Sequence, residues 1–118
     1  MLRPVKREEQ IRELYADFNA RNIEAVLAQM TADVAWPNAW EGGRLAGREA
    51  VREYWLRQWA EIDAMVEPTG FETRDDGRLA VSVHQIVRDL DGNLLSETDI
   101  RHVYTFRDGS IARMDVEE

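Results

Sequence analysis

The sequence predicts a single α+β domain, and three observations carry that reading. Apolar residues before Ala64 recur at helical spacing, and three Asp-Gly pairs after it are flanked by β-branched and aromatic runs. A length of 118 residues is one ordinary domain with room for one core, so residues 1–118 are read as one unit. Helices first and a run of strands afterwards imply helices packed on one face of an antiparallel sheet.

Ile11, Leu14, Tyr15 and Phe18 lie at i, i+3, i+4 and i+7, one apolar face of a first helix over Glu8 to Ala20. Asn22 is placed to cap a short second helix with the stripe Ile23, Val26, Leu27 and Met30. Pro37 stops helical continuation and biases Val34-Ala35-Trp36 to a short strand. A loop marked by Gly42, Gly43 and Gly47 leads to a third helix carrying Val51, Tyr54, Trp55, Trp59 and Ile62 on one face. Breaks at Asp76-Gly77, Asp91-Gly92 and Asp108-Gly109 then join four strands, Met65–Thr73, Leu79–Asp89, Leu94–Phe106 and Ile111–Glu117, into an antiparallel meander. Pro68 marks the first of them as an edge strand or a bulged one.

Composition excludes several chemistries. With no cysteine there is no disulfide, thiolate metal site or cysteine nucleophile, and no metal-ligand spacing involving the two histidines. A net charge of −8 repels phosphate backbones, so no nucleic-acid partner is expected. The amino terminus lacks the apolar stretch of a signal peptide, and no run is long and apolar enough to span a membrane, which leads to the expectation of a cytoplasmic protein. No cofactor is implied.

Three helices with aromatic faces laid on a curved sheet make a cone able to enclose a small-molecule cavity. Strand alternation places Ile100, His102, Tyr104 and Phe106 on the inner face, with Val81, Val83, Gln85 and Val87 beside them and Ala112, Met114 and Val116 on the last strand. His102 and Gln85 are therefore polar groups in an apolar wall. Asp99 falls on the opposite face and cannot orient His102 within a regular strand. Ile86 and Val103 lie on the outer face, where a lone chain would expose them, so a homodimer through that face is expected.

Four segments in this order carry a resemblance: Asn22-Ile23-Glu24-Ala25-Val26, Ala32-Asp33-Val34-Ala35-Trp36-Pro37, Leu45-Ala46-Gly47-Arg48-Glu49-Ala50-Val51, and His102-Val103-Tyr104-Thr105-Phe106-Arg107-Asp108-Gly109-Ser110-Ile111. Together they resemble the NTF2-like superfamily, in its SnoaL-like and ketosteroid-isomerase-like branch, over nearly the whole chain. The resemblance implies a cystatin-like cone with three N-terminal helices on a curved antiparallel sheet. The isomerase's general base is an Asp before the first strand's proline, where this chain has Trp36. Its oxyanion-stabilising acid corresponds to His102, and its oxyanion tyrosine lies one position from Tyr15. Val116 stands where the limonene-epoxide-hydrolase branch would need an inward acid.

Two readings follow. In the first, the chain is a pocket protein, an isomerase- or cyclase-type enzyme acting on a small apolar substrate. His102 is then the acid/base, with Tyr15, Trp36, Trp55, Trp59, Gln85, Tyr104 and Met114 lining the site. In the second, it is a non-catalytic binding or dimerisation module whose tryptophans fill the cavity and whose His102 is structural. Trp40 covers a pocket mouth or a subunit boundary. His84 belongs to the dimer face, and Asp33 and Asp63 are solvated element ends.

Overall fold

The computed structural model describes residues 5–38 and 42–117, so the expectation for Trp40 lies outside the described residues. These residues form helices α1 (Val5–Asn19), α2 (Ile23–Leu27) and α3 (Arg48–Trp59). The strands are β1 (Met30–Pro37), β2 (Arg44–Ala46), β3 (Ile62–Thr73), β4 (Leu79–Asp89), β5 (Leu94–Arg107) and β6 (Ser110–Glu117). They make one six-stranded sheet in the order β2-β1-β6-β5-β4-β3.

The α+β class and the four-strand meander match the expectation, but the helical layout differs. The helices do not stand together ahead of the sheet: the strand expected at Val34-Ala35-Trp36 is there as the longer β1, and β2 follows it before α3. The second helix has only five residues, and Asn22 gives it no side-chain cap. The sheet is mixed: β1 runs parallel to β6 while the other neighbours are antiparallel. Ile62, assigned above to the third helix, instead opens β3, paired with Asp89. Its spacing from Trp59 imitates a helical repeat, but Ile62, Ala64 and Val66 alternate with period two, and that pattern wins once β4 offers a partner.

Turn chemistry sets the meander. Asp108 and Gly109 both take positive φ, 54° and 84°, the pair of left-handed conformations a tight two-residue hairpin needs. The register of β3 on β4 slips between Pro68 and Gly70, so the proline lies at a bulge as well as on the terminal strand. The exposed edge of β3 is clamped by α1: the Asn19 side chain donates to Val66 O at 2.8 Å and accepts from Val66 N at 3.0 Å. One amide thus satisfies two backbone groups that an edge strand would leave open.

The core lies between the helices and the inner sheet face, with Ile11, Met30, Val51, Val81, Tyr104 and Ile111 fully buried. The outer face corrects one expectation. Val103 is 0% exposed in the single chain, and its neighbour Ala80 is 2% exposed. Around them run ion pairs along the same face, with Arg74 gripping both Glu117 oxygens at 2.7 Å and Arg113 on Asp115 at 2.9 Å. Val103 is already buried within the single chain, so it gives no reason to invoke a partner.

The Asn19 clamp generates a stability prediction. Asn19→Ala should lower the free energy of unfolding in urea by about 1–3 kcal/mol, through loss of both bonds and an unsatisfied edge. An unchanged unfolding midpoint would contradict it.

Candidate functional site

A cavity of about 570 Å³ opens between α1, α3 and the inner sheet face. Its base is aromatic. Trp36 meets Trp55 edge-on with centroids 5.6 Å apart, and Phe18 meets Trp55 at 5.3 Å. These are the T-shaped contacts that ring quadrupoles favour, and they fix the wall without filling the space.

Three polar side chains interrupt this apolar base. The Tyr104 hydroxyl donates to the Tyr15 hydroxyl at 2.8 Å, and Tyr15 Oη lies 2.7 Å from His102 Nδ1. Tyr15 comes from the apolar face of α1, while His102 and Tyr104 are alternate residues of β5 pointing the same way. A hydroxyl carries one proton. With Tyr104 donating to Tyr15, the Tyr15 proton is directed at Nδ1, and the ring proton then resides on Nε2. Among the described residues Nε2 has no hydrogen-bond partner, and His102 lines the cavity.

Burial sets the protonation of the trio. It pushes His102 down from 6.5 to about 4, because burial disfavours an imidazolium. The same burial raises Tyr104 and Tyr15 well above the ordinary phenol value. All three groups are therefore neutral at physiological pH. What the site offers is a fixed dipole: an N–H donor in an apolar base, backed by two hydroxyls aligned in series.

Of the residues proposed from sequence, Tyr15, Trp36, Trp55 and Tyr104 line the cavity around His102. Gln85 and Met114 line it as well. Trp59 does not line it: it stacks behind Trp55 at 5.8 Å and 22° and lies under the Arg21 guanidinium, 4.8 Å from its ring centre. Helical spacing put both tryptophans on one face, but the first shields the second.

Sequence reasoning missed Phe18 as a wall residue, and it missed Tyr54, Gln58, Ser96 and Thr98. Gln58 donates to the Tyr54 hydroxyl at 3.2 Å, one helical turn away, a pairing that i, i+4 spacing made available. Ser96 and Thr98 continue the inner alternation of β5 toward the hairpin end, where the pattern was not followed.

Asp99 behaves as its strand position implied: its carboxylate serves His84 Nδ1 at 2.8 Å, while Glu97 meets Nε2 at 2.7 Å. Those hydrogen bonds, Asp99 first, hold His84 above its usual pKa of 6.5. Asp33 and Asp63 are engaged with Arg107 and Arg21. Among the described residues no group of three or more His, Cys, Asp or Glu is placed to hold a metal ion. No described helix is long and apolar enough to cross a membrane.

The two histidines tilt stability in opposite directions. Between pH 6.5 and about 4 the unfolded chain takes up a proton that folded His102 refuses, so stability falls with acidification, by up to about 3 kcal/mol. His84 has a raised folded value, so its contribution is present below 6.5 and is lost as pH climbs through that raised value. Unfolding free energy measured against pH should therefore peak near 6.5. In His102→Gln the decline from 6.5 to about 5, above the carboxylate range, should flatten. An unchanged decline in the variant would refute the assignment.

Comparison with known proteins places this geometry. No curated protein matches the chain significantly. Among solved structures, TerC co-crystallised with polyporic acid is 29% identical, covers 92% of this chain and 87% of its own, and superposes with a TM-score of 0.79. SalBIII, an epoxide hydrolase/cyclase-like enzyme with a role in pyran ring formation in the polyether salinomycin, is 22% identical over 99% and 93% at 0.81. A putative polyketide cyclase from Xanthomonas campestris pv. campestris is 23% identical over 90% and 84% at 0.73. The family profile of the SnoaL-like domain matches residues 11–114, nearly the whole chain, and the chain therefore belongs to the SnoaL-like domain family.

Proposed function

We propose that the chain binds a small, largely apolar, oxygen-bearing molecule in this cavity and promotes cyclase- or isomerase-type chemistry on it. In that chemistry His102 Nε2–H donates to a substrate oxygen on which negative charge develops. The observation that carries the reading is the Nε2 of a neutral imidazole, without a partner among the described residues, in an aromatic-walled cavity of about 570 Å³. A preorganised donor in a water-poor site stabilises a developing oxyanion without reorganisation.

The polar trio limits what His102 does. Complete transfer of the Nε2 proton would draw the Tyr15 proton onto Nδ1 and leave a buried phenolate, which the raised pKa values of Tyr15 and Tyr104 oppose. His102 therefore acts as an electrophilic hydrogen-bond donor, with Tyr15 and Tyr104 as positioning residues that hold its tautomer. The similarity to TerC, whose crystals contain polyporic acid, supports an oxygenated ring compound as ligand.

A second reading is a binding module without catalysis. It is favoured by the absence, among the described residues, of an unpaired carboxylate facing the cavity: Asp99 lies at its margin but is engaged by His84. We also place a second copy of the chain on the outer sheet face, where Met65, 40% exposed, is paired with half-buried Ile86. A monomeric mass in light scattering would remove that proposal.

Thermal-shift and native mass-spectrometry screens against small polyketide, terpenoid and steroid-like compounds should find ligands, and turnover of a hit decides between the readings. His102→Ala should remain folded and lose about 10²–10³-fold in turnover. Binding without turnover in the parent chain would favour the binding module. No binder at all would sink the pocket reading.

A further inference from the structure

The cavity has a second polar station that the oxyanion chemistry leaves unused. Gln85 on β4 is half-buried between Val83 and Val87 on the inner face, and it lines the cavity. Its side-chain amide makes no hydrogen bond to any described residue. Directly across the ladder, in register with Gln85, is Thr98 of β5, exposed and also lining the cavity. Ser96 follows one rung further out, opposite Val87.

These groups share one wall with His102. Thr98 and His102 are separated by Ile100 alone on the inner face of β5, and four residues of extended strand span about 13 Å. Between the two stations the inner face of the ladder is apolar, with Ile100 on β5 in register with Val83 on β4. An amide in such a wall loses water contacts when a ligand enters and regains them only if the ligand brings a polar group to that point.

We infer that Gln85, with Thr98, determines specificity by holding a second oxygen function at the far end of the ligand, so that the cavity selects elongated, largely apolar molecules carrying oxygen at both ends. This rests on the pocket reading above and adds the substrate class. Gln85 offers both a donor and an acceptor, and Thr98 a hydroxyl, so the far group can be a hydroxyl or a carbonyl. A ligand with oxygen at only one end leaves the Gln85 amide dry and unpaired. A chain without the second station would accept either.

The test compares 4-hydroxybiphenyl with 4,4′-dihydroxybiphenyl, two ligands of one shape and one or two terminal hydroxyls, by quenching of tryptophan fluorescence. The parent chain should bind the diol about tenfold more tightly, the effect of one added hydrogen-bonded group. Gln85→Leu should erase that preference, tightening the monohydroxy compound, which no longer strands an amide, and loosening the diol, and circular dichroism verifies that it folds. Thr98→Val, a same-shape change on an exposed residue, should reduce the preference independently of any folding defect at position 85. Equal affinities in the parent chain, or a preference that survives both substitutions, would overturn the inference while the pocket stands. Failure of both compounds to bind would overturn the pocket reading itself, and this inference with it.

Discussion

The hydrogen bond between Tyr15 Oη and His102 Nδ1 ties α1 to β5 across the core, and the chemistry of the cavity depends on it. An imidazole in an apolar wall is costly unless at least one nitrogen is satisfied. Here the satisfied nitrogen is the one facing the helices, which leaves the other for whatever enters the cavity. Tyr104, fully buried on the same strand face, extends the chain by one donor and makes the direction of all three protons consistent. Stability and function thus draw on one arrangement. The bond that closes helix onto sheet also fixes the tautomer.

The rest of the fold serves that arrangement. The parallel pairing of β1 with β6 brings Trp36 to the base of the cavity, in contact with Trp55 from α3. Asn19 clamps the terminal strand β3 to α1 only four residues beyond Tyr15, so the helix carrying the tyrosine is anchored at two points on the sheet. On the opposite face, arginine–carboxylate pairs run along the same side of the sheet as the buried Ala80 and Val103. An apolar inner cavity with an aromatic base is suited to holding a small molecule that water does not solvate well.

Local chemistry made much of this legible in the sequence. The Asp-Gly pairs located the hairpins because a tight turn needs left-handed residues, and strand alternation put His102, Tyr104 and Gln85 on one face because successive side chains must oppose one another. What escaped was long-range. Whether β1 joins β6 in parallel depends on pairing across most of the chain, and nothing in its own residues records the direction. Trp55 and Trp59 share a helical face, yet only packing decides which reaches the cavity. The bond from Tyr15 to His102 joins residues 87 apart in sequence, so family position suggested each residue without revealing the contact.

The central claim is a neutral His102 with its proton on Nε2, aimed at the cavity. Nitrogen-15 NMR of the imidazole rings reads this directly, because the protonated and unprotonated nitrogens of a neutral ring have widely separated shifts. At neutral pH the account predicts that His102 shows a pyrrole-like Nε2 and a pyridine-like Nδ1, and that an oxygen-bearing ligand perturbs Nε2 more than Nδ1. An imidazolium, or the reverse tautomer with the proton on Nδ1, would contradict it.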